Sequence, residues 1–220
     1  MKIAMINGQN HKGSTYHIGK MLADKLGGEV TEFFLPRDFG HFCVGCNQCI
    51  VKDEKLCPYY KELKPLTEAI DSADVIILTS PVYVYHCTGS YRWMLHRPNP
   101  DMFSKQGVCI STAAGAGMKW TNKDMADSMF FWGMGKIYRY GTAAHALNYK
   151  SISPKKMEEI EKATDKLAEK IRRNYGHVKP GLKTKAYFEV MRKLVKSGWN
   201  EVDVAYWKEH GWTEKARPWK

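Results

Sequence analysis

The sequence lacks several patterns that would place the protein in or across a membrane. No apolar run approaches the roughly 18 residues that a membrane-spanning helix needs. The start of the chain also lacks the basic region and the cleavage site of a secretory signal peptide. We therefore expect a soluble, cytoplasmic protein with no membrane partner.

Acidic residues are also scarce relative to basic ones. The chain has 23 Asp and Glu against 34 Lys and Arg, for a net charge of +11, and residues 151–220 alone hold 17 Lys and Arg against 10 acids. Such a surface attracts anions. The first explanation of the charge is that it lies on solvated helix faces. Binding of anionic dinucleotides or of acidic redox proteins ranks second. No nucleic-acid-binding motif accompanies the charge, so we expect no nucleic-acid partner.

Strand-like and helix-like segments alternate along the chain. Strands are predicted at residues 3–6, 30–35, 74–79, 107–112 and 136–140. Helices are predicted at residues 16–26, 59–70, 91–95, 122–131 and 154–175, with a long loop at 36–57 and with Pro98 and Pro100 closing the third helix. This alternation predicts an α/β fold, in which a parallel sheet is covered by helices on both faces.

The loop after the first strand is the most informative segment. It reads NGQNHKGST at residues 7–15 and leads into a helical pattern. Loop amides and the positive end of the helix dipole converge there, together with the hydroxyls of Ser14 and Thr15 and the charge of Lys12. A terminal phosphate fits this arrangement. An ordinary turn with Ser14 as helix N-cap is the alternative that the loop alone leaves open.

The position of this loop favours one strand order over another. The flavodoxin-like fold, a doubly wound five-stranded parallel sheet of order 2-1-3-4-5, has a phosphate-type loop directly after its first strand. A dinucleotide-binding Rossmann domain is the alternative. It is weakened because the loop lacks the G-x-G-x-x-G spacing and because Glu32 is a single acidic match.

In the flavodoxin-like order, two more loops end beside the first one. They read SPVYVY at residues 80–85 and TAAGAG at residues 112–117. A proline turn with aromatic side chains suits a planar heterocycle, and small residues let backbone amides approach its oxygens. Phosphate at one end and a ring at the other describe a mononucleotide such as FMN. Each loop taken alone also has an ordinary explanation, as a strand end, a core contact or a turn.

The motifs GxxxKGST, SPVY and TAAGAG, with clustered cysteines between the first two, resemble the NADPH-dependent FMN reductase branch of the flavodoxin superfamily. Within that branch the chain is most similar to the iron-sulfur flavoproteins, over about residues 1–175. The resemblance implies three groups of FMN contacts, to the phosphate, to the isoalloxazine and its N5 side, and to the polar edge of the ring. In that order, they are Gln9, Asn10, His11, Lys12, Ser14 and Thr15; Pro81, Val82, Tyr83 and Val84; and Ala113, Ala114, Gly115 and Gly117.

One segment departs from that family. Where its members usually carry Ser-Pro-Arg after the first glycine, this chain has Gln9, Asn10 and His11. A histidine beside Lys12 thus replaces a strong arginine contact, and we expect the affinity for phosphate, or its pH dependence, to differ.

Four of the six cysteines lie within fifteen residues of the predicted long loop. They are Cys43, Cys46, Cys49 and Cys57, in the spacing C-x2-C-x2-C-x7-C. Four thiolates so spaced can hold a 4Fe-4S cluster. Free thiols are an equal alternative, because similar patterns occur in relatives that look like plain flavin reductases. Zinc ranks third, because structural zinc more often takes two C-x-x-C pairs that are farther apart.

The chain after residue 175 is predicted to form a separate extension, residues 176–220, beside a flavodoxin-like domain of residues 1–175. Basic and apolar residues recur at helical spacing over residues 179–196, which predicts an amphipathic helix that packs on its own domain or on a sister subunit. Tyr206, Trp207 and Trp212 follow, as a buried anchor or as a lid.

These features predict an FMN-dependent oxidoreductase that takes hydride from NADH or NADPH and passes electrons to an acceptor. We assign no side chain as general acid or nucleophile, since the flavin carries the chemistry. The alternative is an iron-sulfur flavoprotein that exchanges electrons with ferredoxin or another acidic redox protein. A metal-stabilised module that binds an anionic polymer is the third hypothesis. We expect a homodimer or homotetramer, because a second subunit often completes an open flavin site.

Overall fold

A single sheet of parallel strands organises the computed structural model, which describes residues 1–89, 91 and 100–219. The sheet has the order β2-β1-β3-β4-β5. Its strands are β1 (Lys2–Asn7), β2 (Glu29–Phe34), β3 (Val75–Pro81), β4 (Gln106–Ala113) and β5 (Lys136–Ala143). All neighbouring strands pair in parallel. The flavodoxin-like order predicted from the sequence is confirmed.

Helices cover both faces of the sheet and form the C-terminal extension. They are α1 (Ser14–Leu26), α2 (Gln48–Val51), α3 (Tyr60–Ser72), α4 (Met118–Phe131), α5 (Pro154–Asn174), α6 (Leu182–Lys196) and α7 (Glu201–Glu209). Short 3-10 turns lie at Glu54–Leu56, Pro100–Ser104 and Tyr149–Ser151. In the part of the chain that the structure describes, no helix is long and apolar enough to cross a bilayer.

The pleat of the central strands explains why the sequence reads as continuous apolar runs. In β3, Val75 and Ile77 face the layer of α1 and α5, whereas Ile76 and Leu78 face the layer of α3 and α4. All four side chains are fully buried. Each such burial contributes about 1.5–3 kcal/mol, so the strands with two covered faces, β1, β3 and β4, hold the core together.

Several predicted boundaries need correction. Helix α4 begins at Met118 and not near residue 122, because Gly117, at φ 101°, caps it directly after the third loop. Helix α1 begins at Ser14, so its N-cap is Gly13 and the alternative with Ser14 in that position is wrong. Strand β5 runs to Ala143, three residues past its predicted end, because its last residues pair with β4 up to Ala113.

Two further segments were predicted only as a loop and as a helix. The long loop at residues 36–57 contains α2 and one of the 3-10 turns. The helix predicted at residues 91–95 lies, apart from Tyr91, outside the described residues, as does Pro98. Pro100 is described and opens a 3-10 turn.

The C-terminal extension is helical, as predicted, and it has a small aromatic core of its own. Phe188, Trp207 and Trp212 are buried there around Phe103, which precedes β4. The ring centroid of Phe103 lies 5.8 Å from that of Phe188 and 6.1 Å from that of Trp212. The two tryptophans are therefore a buried anchor that joins the extension to the sheet. The domain boundary at residue 175 stays a prediction.

Candidate functional site

The three loops predicted to form one surface do meet at the carboxyl edge of the sheet. Strand pairing places Asn7 opposite Thr79 and Pro81 opposite Thr112. The amide of Gly8 donates to the carbonyl of Thr79 at 2.8 Å, and the amide of Val82 donates to that of Thr112 at 3.0 Å. The first loop is thus bonded to the end of β3, and the second loop to the end of β4.

The N-terminus of α1 opens onto this surface. Its N-cap is Gly13, which has no side chain to accept a hydrogen bond from the first turn. The first intrahelical bond runs from the His17 amide to the Gly13 carbonyl at 3.1 Å. The amides of Ser14 and Thr15, in the first turn, therefore lack acceptors within the helix. The turn contains no acidic residue. These amides and the helix dipole form an anion-binding end.

The side chains predicted to hold a phosphate differ in their exposure. Asn10, His11 and Lys12 are exposed on the loop. The imidazole of His11 packs against Gly13, where a Cβ would lie 2.8 Å from its Nε2. Thr15 is buried instead, and its hydroxyl is hydrogen-bonded to that of Thr112 on β4. Thr15 therefore ties the first loop to the third.

A buried tyrosine beneath the loop was missed by sequence reasoning. The hydroxyl of Tyr91 lies 2.6 Å from the carbonyl oxygen of Ile6 and 2.8 Å from that of Thr79. Burial raises the pKa of Tyr91 well above its usual value, so the phenol stays protonated and donates to these carbonyls. The Tyr91 ring also approaches Gly8, where a Cβ would lie 3.1 Å from Cε2. No local pattern marks this role, because the contacts reach 85 residues back to Ile6 and 12 residues back to Thr79.

The second loop folds into a tight hairpin from Tyr83 to His86. Their backbones exchange two hydrogen bonds, of 2.9 and 2.8 Å. The two central residues, Val84 and Tyr85, have φ angles of 48° and 68°. These angles are typical of a type I′ turn, which prefers Asn and Gly. A β-branched residue with positive φ is strained, and Val84 is also 91% exposed.

An aspartate on α4 anchors this hairpin. Oδ2 of Asp124 lies 3.0 Å from Nδ1 of His86 and accepts a hydrogen bond from the backbone amide of Cys87 at 3.2 Å. At the other end of the hairpin, the side-chain Nε2 of Gln9 donates to the hydroxyl of Tyr83. The exposed turn is therefore fixed by the first loop and by α4. Asp124 also escaped sequence reasoning, because it lies 38 residues from its histidine on a polar helix face.

The third loop leaves room beside the hairpin. Ala114 and Gly115 are exposed, and a Cβ at Gly115 would meet no atom within 4 Å. At Gly117 a Cβ would lie 2.6 Å from Cγ1 of Val82, so the closest approach of the two loops requires glycine. Small residues therefore leave a flat, open wall next to the turn. Together with the helix end, this wall offers an anion site and a ring site along one edge.

The four clustered cysteines lie around a cavity of their own. Cys43 and Cys46 are exposed, whereas Cys49 and Cys57 are half-buried. All four line a mostly apolar cavity of about 90 Å³. Burial raises the pKa of Cys49, and the nearby thiolates of Cys57, Cys43 and Cys46 raise it further. The amide of Gly45 donates to Sγ of Cys43 at 3.4 Å. Four thiols thus share one space.

The spacing of these thiols bears on the kind of metal centre. Among the described residues, no group of three or more His, Cys, Asp or Glu side chains is close enough to hold one metal ion. A zinc ion gathers its donors at about 2.3 Å from one ion, whereas a cubane spreads its four ligands over four irons.

The strand order, with three loops that meet at its carboxyl edge, places the chain in the flavodoxin-like fold class. The profile of the family described as NADPH-dependent FMN reductase matches residues 1–147. The chain therefore belongs to the NADPH-dependent FMN reductase family, as its motifs predicted.

Individual relatives match parts of the chain, and one solved structure shares its fold. An iron-sulfur flavoprotein of Archaeoglobus fulgidus is 27% identical over 99 residues, which are 43% of this chain and 44% of that protein. One of Methanocaldococcus jannaschii is 34% identical over 77 residues, 33% and 39% of the two chains. The chain thus spans less than half the length of these relatives. An FMN-dependent NADH-azoreductase of Bacillus anthracis, solved with FMN, shares the fold at a TM-score of 0.56 and 11% identity, over 76% of this chain and 100% of that one.

The strain in the hairpin gives a prediction on stability. Replacing Val84 with Asn, which tolerates positive φ, should raise the free energy of unfolding of the FMN-free protein by about 1 kcal/mol. Urea denaturation measures this. Val44→Asn is the matched control, because Val44 is also exposed but lacks a positive φ, and it should change stability by less than about 0.5 kcal/mol. A loss of stability in Val84→Asn would contradict the assigned strain.

Proposed function

We propose that the protein is an FMN-dependent NAD(P)H oxidoreductase that passes electrons from a nicotinamide dinucleotide to an acceptor. One observation carries the proposal, namely the uncapped N-terminus of α1 beside the open wall of the second and third loops. A mononucleotide needs an anion site and a planar site along one sheet edge.

The phosphate end of the site is supplied mainly by backbone. The first-turn amides of Ser14 and Thr15 point out of the helix, with the Ser14 hydroxyl next to them. The Lys12 ammonium lies over the ring of Tyr16, in the first turn of α1, at 5.2 Å from the ring centroid. His11 stands where relatives usually carry arginine, so an imidazole replaces a guanidinium with its parallel donors. Gln9 is held against Tyr83 and fixes the distance between the phosphate end and the hairpin.

The ring end of the site combines a rigid turn with accessible backbone. Pro81 and Val82 continue β3, while Tyr83 and Val84 present an exposed edge that Asp124 and Gln9 hold in place. Ala113, Ala114, Gly115 and Gly117 carry little or no side chain, so their amides are accessible to polar ring atoms. FMN, when bound, supplies the acceptor for hydride and the store for two electrons. The residues described here bind it, orient it and leave one face open.

The surroundings of the site support two kinds of partner. The net charge of +11 favours an anionic dinucleotide. Exposed apolar side chains also lie along the same sheet edge, among them Val84, Tyr85, Trp120 and Leu147. A second copy of the chain covers such side chains readily, so we infer a homodimer or homotetramer. A cytoplasmic location suits nicotinamide chemistry and six free thiols.

The proposed function is tested first by the colour of the protein and its response to nicotinamides. Purified without air and supplied with FMN, the protein should show two visible flavin bands. These bands should bleach on addition of NADH or NADPH, because hydride reduces the ring. Stopped-flow absorbance at both bands gives the rate with each dinucleotide. A bound flavin that neither dinucleotide reduces would refute the nicotinamide part of the proposal.

A second prediction concerns the phosphate end. Ser14→Asp should weaken FMN binding by about a hundredfold, because a carboxylate would stand beside the phosphate. Riboflavin lacks that phosphate, so its affinity should change by less than about threefold. Quenching of flavin fluorescence measures both affinities. Ser153→Asp is the matched control, since Ser153 caps α5 and Asp caps equally well. Equal losses for FMN and riboflavin would place the phosphate elsewhere.

The four thiols around one cavity favour a second candidate function. We propose that Cys43, Cys46, Cys49 and Cys57 hold a 4Fe-4S cluster, through which electrons pass between FMN and ferredoxin or another acidic redox protein. The apolar cavity would shield the cluster, and the Gly45 amide would donate to one ligand sulfur. The names of the archaeal relatives, iron-sulfur flavoproteins, agree with this candidate.

Anaerobic reconstitution tests the cluster directly. Wild-type protein given iron and sulfide should gain a broad absorbance shoulder near the flavin bands and bind about four irons per chain. Cys49→Ser should bind less than half of that iron. Cys87→Ser is the matched control, because Cys87 is also half-buried but lies outside the cavity, and it should match the wild type. Wild-type protein that takes up no iron would exclude the cluster and leave the flavin reductase unaffected.

A further inference from the structure

The short helix that carries Cys49 is a single, largely exposed turn. Within the described chain, α2 has only four residues and buries none of them. Ile50 and Val51 are 41% and 50% exposed. One turn of helix is far too short to be stable alone in water. Its conformation must therefore be fixed by contacts from other parts of the chain.

One such contact comes from the C-terminal extension. Nδ2 of Asn200 donates a hydrogen bond of 3.0 Å to the backbone carbonyl of Ile50, which directly follows Cys49. The helix that Asn200 begins, α7, packs against α2. The two residues are 150 positions apart in sequence, so this contact brings the end of the chain onto the cysteine loop.

Both polar atoms of the Asn200 carboxamide are hydrogen-bonded in this arrangement. Its Oδ1 accepts from the amide of Val202 at 3.0 Å and caps α7, while its Nδ2 reaches Ile50. Asp or Ser could supply the cap equally well. Asp has no hydrogen to donate when ionised, and the Ser hydroxyl is too short to span both positions. Asn is therefore the residue that both caps α7 and holds α2.

Helix α7 is itself rigidly attached to the sheet. Trp207 is buried and stacks on Phe188 with a centroid distance of 4.8 Å. Phe188 contacts Phe103 of the domain edge at 5.8 Å. Packed aromatic rings thus connect Phe103 at the sheet to α7. The hydrogen bond of Asn200 then connects α7 to the cysteine loop.

We propose that Asn200 is a positioning residue for the cysteine loop, through which the C-terminal extension holds Cys49 beside the other three thiols. The functional importance of this position of Cys49 rests on the proposed metal-binding role of the loop. The contact itself exists without metal, so it can be tested apart from any cluster.

Hydrogen exchange of the metal-free, full-length protein tests the proposal. Asn200→Ser keeps the cap of α7 and removes the donor to Ile50. Amides of residues 48–52 should then exchange about fivefold faster, as expected for the loss of one hydrogen bond, while those of β1, β3 and β4 stay unchanged. Alkylation of Cys49 should accelerate similarly, whereas Cys43 and Cys46, already exposed, should react at the wild-type rate. Asn200→Asp should behave in the same way, and serves if the serine variant folds poorly.

The control is Asn148→Ser, the same change at another asparagine cap. Oδ1 of Asn148 accepts from the amide of Ser151 at 3.1 Å, far from the loop, and its loss should leave residues 48–52 as in the wild type. Unchanged exchange in both Asn200 variants, or an equal increase in Asn148→Ser, would overturn the proposal. After reconstitution, Asn200→Ser should also lose iron to a chelator several times faster than the wild type. If wild-type protein takes up no iron, the cluster proposal fails, and the exchange result still decides the role of Asn200.

Discussion

The parallel register between β1, β3 and β4 is the constraint on which the candidate flavin site depends. Because Asn7 lies opposite Thr79, the Gly8 amide reaches the Thr79 carbonyl at 2.8 Å and the first loop leaves the sheet beside the second. A shift of one residue would reverse which face each side chain occupies. In β3 such a shift would move Ile76 and Leu78 to the opposite face of the sheet. The close packing of buried side chains on both faces opposes that change. Core packing therefore sets the position of the loops.

Rigidity at this edge comes from contacts between segments distant in sequence. Tyr91 reaches carbonyls at the ends of β1 and β3, and Thr15 bonds to Thr112. The same framework sustains the strained turn at Val84, because Asp124 fixes the last residues of the hairpin. A strained, exposed turn that is held from both ends presents one conformation to a ligand. Such a site loses less conformational entropy on binding than a mobile loop would.

Much of this arrangement could be predicted from the sequence because the signals are local. Alternating strand-like and helix-like segments predicted the α/β fold. The glycine-containing loop directly after β1 predicted the strand order and indicated the candidate anion site. The hairpin could not be predicted, since Tyr-Val-Tyr-His lacks the Asn-Gly signal of a type I′ turn. The start of α4 was misplaced because it depends on the positive φ of Gly117. The role of Asp124 depends on a contact across 38 residues that no periodic pattern encodes.

The cysteine loop shows why spacing alone cannot identify a metal centre. C-x2-C-x2-C-x7-C fixes which donors are near one another along the chain, but the distances between sulfurs depend on how the loop turns back. Gly45 and Asn47, with φ of 71° and 57°, reverse it before α2. The direction of α2 is then set by Asn200, from the far end of the chain. Residues 176–220 lie beyond the matched family segment, so the geometry of these thiols depends on a part of the chain that the family motifs do not include.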